Sequence, residues 1–105
     1  MIYKTIITEP AERDIFEAAR YIARELQNPI AANKLLDDID KAVASLKVMP
    51  KRYSLVKNEH LANLGFHYLP VHNYLIFYIV RENKKSVVIE RFLHSRRDWS
   101  HIIGQ

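Results

Sequence analysis

An α+β domain is predicted by three observations. Two segments with helical apolar stripes lie back to back, over residues 10–26 and 29–49. Three β-rich runs follow between residues 66 and 94. The two kinds of element are segregated rather than alternating, which points to a helical hairpin on one face of a largely antiparallel sheet. The order read from the chain is β-α-α-β-β-β with a short final helix. At 105 residues, a single domain spanning 1–105 is expected.

Residues 2–7 read as a strand, being rich in β-branched side chains with Tyr3 among them. Thr8-Glu9-Pro10 opens the first helix with a hydroxyl cap, an acid in the first turn and a proline whose missing N–H is harmless there. Its stripe is Ala11, Ile15, Ala18, Ala19, Ile22 and Leu26. Asn28 and Pro29 start the second helix in the same manner. Its stripe is Ala32, Leu35, Leu36, Ile39, Val43, Leu46 and Met49, and Pro50 stops it. A link of about three residues makes the pair an antiparallel hairpin.

Residues 51–65 show no period and read as a connecting loop with at most a short strand or turn. Residues 66–71 alternate weakly and contain Pro70, which suits an edge strand. Residues 74–80 are continuously apolar, as a central strand buried on both faces is. Residues 87–94 form the last strand. Short turns at 72–73 and 82–86 make these three a meander. With the hairpin on one face, the other is expected to stay partly open. Strict alternation on the last strand puts Val88, Glu90, Phe92 and His94 on one face and Val87, Ile89, Arg91 and Leu93 on the other. Charges beside such bulky groups call for an ion pair, with Arg81 or a helix acid as partner for this stretch.

Composition narrows the function. The apolar fraction of 49% is that of a folded domain. Cysteine is absent, so neither a disulfide nor a thiolate metal site is available. The five histidines have no metal-ligand spacing, so no metal and no cofactor is expected. The start has no long apolar run, and the apolar run 74–80 is too short to span a bilayer. A soluble, cytoplasmic protein without a membrane partner is the expectation. Net charge is +4, but residues 1–40 carry −3 and the remainder +7. A basic half fits an acidic partner, nucleic acid or an acidic protein surface, or is simply a solvated lysine-rich face.

The chain's most unusual segment is its last strand exit, Leu93-His94-Ser95-Arg96-Arg97-Asp98-Trp99. Ser95 with Asp98 fits a capping box, which puts Arg96 and Arg97 at the first two helical positions. Cations are disfavoured there, so the pair points to an anion met at this spot. His94, Arg96 and Arg97 are the candidate anion-binding group. Trp99 reads as the anchor of the final helix. Lys51, Arg52 and Lys57, with Tyr53 between, are a candidate nucleic-acid-binding loop. His67, beside Tyr68 on a predicted strand, is the next histidine that suits a functional surface.

These features together resemble the RelE/ParE toxin superfamily over nearly the whole chain. The resemblance rests on Thr8-Glu9-Pro10-Ala11, Leu46-x-x-Met49-Pro50 and Tyr74-x-x-Phe77-Tyr78. It is most specific in Val87-x-Ile89-x-x-x-Leu93-His94-Ser95-Arg96-Arg97-Asp98-Trp99, which looks like the ParE and plasmid-stabilisation branch. The resemblance implies a growth-inhibiting toxin, neutralised by a co-encoded antitoxin in a hetero-oligomer. RelE-like members cleave mRNA on the ribosome; ParE-like members inhibit DNA gyrase. Here Leu75 stands where cleaving members usually carry an arginine, and Ile102 and Ile103 where they carry a tyrosine. Gyrase inhibition through His94, Arg96, Arg97 and Trp99 is therefore the leading expectation. The alternatives are a metal-independent endoribonuclease using Arg96, His94 and His67, or a non-toxic relative that only binds its antitoxin.

Overall fold

In the computed structural model, which describes residues 2–103, the elements run as the sequence orders them, with one addition. They are β1 (Lys4–Ile7), α1 (Glu9–Arg20), α2 (Pro29–Ser45), α3 (Glu59–Asn63), β2 (His67–Val71), β3 (Tyr74–Arg81), β4 (Ser86–His94) and α4 (Trp99–Ile103). The sheet order is β1-β4-β3-β2. The meander β2-β3-β4 is antiparallel, while β1 lies parallel to β4, with Lys4 opposite Ser86 and Ile7 opposite Ile89. Pro70 sits on the edge strand β2, where its missing N–H is tolerated.

Both helix starts follow the expected chemistry. The Thr8 hydroxyl accepts from the Ala11 N–H (3.2 Å), and the Asn28 side chain accepts from Ala31 (3.1 Å). Beyond Arg20, α1 widens into a π-helical turn, Tyr21–Glu25, before the link. The second helix ends sooner than its stripe suggests. It stops at Ser45, whose hydroxyl donates to the Ala42 carbonyl (2.6 Å). The residues after it turn so that the Lys47 carbonyl accepts the Tyr3 N–H (2.9 Å). Met49 takes a left-handed φ of 54° and is 67% exposed, so it leaves the predicted core stripe.

One face of the sheet carries the hairpin. Ala11, Ala18, Leu35, Ile39 and Leu46 pack on Leu69, Val71, Ile76, Tyr78, Val87, Ile89 and Phe92. Tyr78 is fully buried; its hydroxyl donates to the Pro50 carbonyl (2.6 Å), and burial pushes its ionisation far above the usual phenol range. The other face is open only in part, with Tyr68, Leu75 and Ile79 half-buried on it. Val56, Leu61 and Phe66, with Trp99, Ile102 and Ile103, cover Phe77 and Leu93. Part of this cover is α3, which lies inside the stretch read as a loop. Asn58 caps it through the Leu61 N–H (3.0 Å), and Gly65, at φ 88°, lets the chain turn out of it.

The alternation predicted for the last strand also fails, at one residue. Phe77 pairs with Arg91 but Tyr78 pairs with Ile89, so Glu90 is an extra residue in the ladder, a β-bulge. Val87 and Ile89 face the hairpin before it; Phe92 takes that face after it, and Leu93 turns to the other. The bulge lies just past the end of β1, where β4 loses its neighbour. Thr8 and Asp14 replace that neighbour. The Thr8 hydroxyl donates to the Glu90 carbonyl (3.0 Å), and the Asp14 carboxylate accepts from the Phe92 N–H (3.0 Å). The same carboxylate takes two bonds from Arg91, from Nε (2.7 Å) and Nη2 (3.0 Å). The ion pair expected for this strand is thus made with a helix acid.

Asp14→Ala removes the pair and orphans both the guanidinium and a strand N–H, so urea denaturation is expected to show a loss of about 2 kcal/mol. A loss under about 0.5 kcal/mol contradicts the clamp. A second, pH-linked contact ties the β2–β3 turn to α2: His72 Nε2 bonds Asp38 (2.6 Å), which also meets Lys34 (3.2 Å). His72, then Lys34, hold the Asp38 carboxyl below its ordinary value. Stability from such a carboxyl is complete above its unfolded pKa and is lost as pH falls through the lowered folded value. NMR titration is expected to place Asp38 below the ordinary aspartate range, and to move it back up in His72→Gln; an unmoved midpoint refutes the link.

Candidate functional site

β4 leaves the sheet at His94, opposite Tyr74. The Tyr74 ring stacks on Phe92 (4.8 Å) and receives His94 edge-on (5.2 Å). The backbone then folds into a closed turn. Ser95 N–H bonds the Asn73 carbonyl (2.9 Å), Arg97 N–H the His94 carbonyl (3.0 Å), and Arg96 N–H the His94 Nδ1 (3.1 Å). That last bond makes Nδ1 an acceptor, so a neutral His94 carries its proton on Nε2.

The final helix begins later than the sequence suggests. Asp98, not Ser95, caps it: its side chain accepts from the His101 N–H (3.4 Å) and the Ser100 hydroxyl (3.1 Å), and its carbonyl from Ile102 N–H (3.2 Å). An acid at the cap suits the helix dipole. Arg96 and Arg97 therefore do not occupy the first helical positions. They lie exposed on the preceding turn, and neither guanidinium has a hydrogen-bonding or ionic partner among the described residues. The electrostatic conflict inferred from sequence disappears, and two free cations on a hydrogen-bonded turn take its place.

Trp99 anchors this turn as expected. Its ring lies 5.2 Å from Phe77, tilted by 36°. Beside it is a small hollow of about 180 Å³ lined by Val56, Lys57, Tyr68, Leu75, Phe77 and Trp99. Leu75 and Ile102 both belong to this apolar cluster. Lys57 thus joins the turn's neighbourhood, and Tyr68 is a lining residue the sequence marked only as a neighbour of His67.

The other sequence candidates lie elsewhere. Lys51 and Arg52 sit at the far end of the sheet, Lys51 on Glu82 (3.3 Å) and Arg52 over the Tyr53 ring (5.1 Å). They are not brought together with Lys57. His67 bonds the Tyr53 carbonyl through Nδ1 (2.8 Å) and stacks on Tyr78 (5.2 Å). Its register partner Tyr78 is four residues along β3 from Tyr74, about 13 Å from the His94 end. His67 is therefore built into the core's margin, away from the arginine turn. Among the described residues no three His, Asp or Glu side chains converge on a metal-sized gap, and no helix is long and apolar enough to cross a membrane.

A mixed sheet backed by a helical hairpin in this manner is a fold that solved toxin–antitoxin structures share. The chromosomal ParDE toxin–antitoxin system of P. aeruginosa has it with a TM-score of 0.71 at 19% identity, covering 89% of this chain and 96% of that one. The RelBE2 toxin–antitoxin complex of Mycobacterium tuberculosis has it with a TM-score of 0.62 at 20% identity, covering 90% and 92%. At such identities the likeness is one of fold. Among curated proteins no sequence matches the chain. Residues 5–99 match the family of the ParE toxin of the type II toxin–antitoxin system, parDE. The chain belongs to that family and is a ParE-like toxin of a type II system.

If the turn serves a partner rather than the fold, its cations are dispensable to stability. Arg96→Ala with Arg97→Ala is expected to keep the urea midpoint within about 0.5 kcal/mol of the parent. Trp99→Ala, which empties the contact with Phe77, is expected to cost about 2 kcal/mol. The reverse ranking contradicts the division of roles.

Proposed function

We propose that the chain inhibits DNA gyrase by binding to it, and that a co-encoded antitoxin holds it inactive. The observation that carries this reading is the pair Arg96 and Arg97, exposed and unpartnered on a turn anchored by Trp99. Guanidiniums presented on a rigid turn suit acidic side chains of a protein target, with Trp99 and the adjoining hollow as the apolar part of the contact. Phosphodiester cleavage instead needs a base, a cation and an acid around one phosphate. His67 lies too far along the sheet to join His94 and Arg96 there, and Leu75 and Ile102 supply hydrocarbon beneath Trp99. That arrangement favours docking over cleavage.

The two solved structures named above come from toxin–antitoxin systems, which supports an antitoxin partner here. The surface that suits it is an apolar groove of about 400 Å³ between β1 and the hairpin, with Ile7, Ile15, Phe16, Leu36 and Val43 along it. β1 is an edge strand, and Phe16 is 64% exposed. An amphipathic helix in the groove and a strand added to β1 would bury both. A toxin–antitoxin hetero-oligomer acting in the cytoplasm is the assembly this implies.

Purified toxin at saturation is expected to stop gyrase from supercoiling relaxed plasmid. Arg96→Ala with Arg97→Ala is expected to weaken inhibition at least tenfold while antitoxin binding is retained. Full supercoiling at saturating toxin overturns the proposal. Codon-register cuts in translated mRNA, lost in the same variant, assign the turn to ribosome-dependent cleavage instead.

A further inference from the structure

The strongest charge on the molecule lies at the opposite end of the sheet from the arginine turn. Three separate pieces of chain meet there. Tyr3 N–H bonds the Lys47 carbonyl (2.9 Å) and Lys4 N–H the Lys85 carbonyl (3.0 Å), which draws β1, the end of α2 and the β3–β4 turn together. The turn after α2 adds Lys51 and Arg52. The result is two shallow, adjoining hollows of about 480 and 510 Å³ that share Tyr3. Six of the chain's 16 cations line them: Lys4, Lys47, Lys51, Arg52, Lys84 and Lys85, all exposed. No acid is among the lining residues.

One acid adjoins them. Glu82 accepts from the Tyr3 hydroxyl (3.0 Å) and meets Lys51 (3.3 Å) and Lys85 (3.4 Å). Its carboxyl is held below the usual range, first by the Tyr3 hydroxyl and then by these lysines. It acts as a bracket, holding two ammonium groups on one carboxylate. The rest of the chain has ten cations against eleven acids, so this end carries more than the whole net charge of +4.

We propose that this lysine-lined end binds the phosphate backbone of duplex nucleic acid. Its six cations come from different elements and spread over an open surface, which fits a repeating polyanion better than a small ligand. Lysine dominates, and lysine reads phosphate as a point charge without base specificity. The aromatic rings present are already engaged. Tyr3 bonds Glu82 and lies under Lys85 (5.5 Å), and Tyr53 lies under Arg52. An unpaired base stacking on either ring competes with the cation already over it, which favours a duplex over a single strand. Ile2 and Met49 also line the hollows, so an acidic protein with apolar anchors is the competing occupant. The inference stands apart from the gyrase reading, because β4 separates the two ends by about 26 Å.

Fluorescence anisotropy of the full chain with a labelled 20-base-pair duplex of mixed sequence tests it, between about 50 and 200 mM salt. Binding is expected with a log–log salt slope near −5. Among the described residues neither the Lys47 nor the Lys84 side chain makes a hydrogen bond or ion pair, so Lys47→Gln with Lys84→Gln keeps the fold. That variant is expected to bind about tenfold more weakly, with a slope shallower by about 2, and to inhibit supercoiling like the parent. Arg96→Ala with Arg97→Ala is expected to bind the duplex like the parent. Absence of duplex binding at low salt, tighter binding to single-stranded RNA of the same length, or a loss confined to the arginine variant each overturns the proposal.

Discussion

The carboxylate of Asp14 is the contact on which the arrangement of the sheet depends. β1 is four residues long and β4 nine, so the second half of β4, paired with β3 on one side, has no strand on the other. Without a substitute, its backbone groups would meet water or go unpaired. Asp14 supplies the substitute from the first helix, accepting from Arg91 twice and from the Phe92 N–H, at 11% side-chain exposure. A half-buried carboxylate with three charge-matched or backbone donors is well satisfied; the same carboxylate with one donor removed is not. Helix and strand are thereby locked at one register. The bulge at Glu90 becomes tolerable, and the strand can serve two cores in turn, Ile89 and Phe92 under the hairpin and Leu93 under Trp99.

That lock has a functional consequence. Everything after Glu90 is aimed by it, including the turn that carries Arg96 and Arg97. The molecule thus sets the basic turn where β4 ends apart from a lysine-lined end where β4 begins, and that end shares Thr5 and Lys47 with the apolar groove along β1 and the hairpin.

Much of this was legible in the sequence because local chemistry decided it. Thr8 and Asn28 cap where hydroxyl and amide side chains before a helix should, and the continuous apolar run of β3 reads as a buried central strand. Pro70 marked an edge, and the need for a partner to Arg91 followed from the cost of an unpaired charge. The failures have equally physical origins. A bulge adds one residue without altering composition, so Glu90 looked like an ordinary alternating position. α3 has five residues, too few to show a helical period, although Asn58 and Gly65 bracket it. Met49 fits the stripe of α2, but a long-range bond from Tyr3 to Lys47 ends that helix first. Ser95 and Asp98 both cap well in isolation; Ser95 N–H is taken by Asn73 across the strand pair, which leaves the cap to Asp98. In the last two cases a contact distant in sequence outweighed a sound local preference. The same reason separates Lys57 from Lys51 and Arg52, neighbours in sequence that the fold sends to different ends.

Amide hydrogen exchange on the parent and on Asp14→Asn, in which the charge is lost but the shape kept, tests the central claim most directly. The clamp predicts a protected Phe92 amide in the parent. In the variant, protection falls at Phe92 and at the Ser95 and Arg97 amides beyond it, while the Ile76 and Tyr78 amides in the middle of the sheet keep theirs. A Phe92 amide that exchanges equally slowly in both proteins contradicts the claim that Asp14 organises the end of the strand.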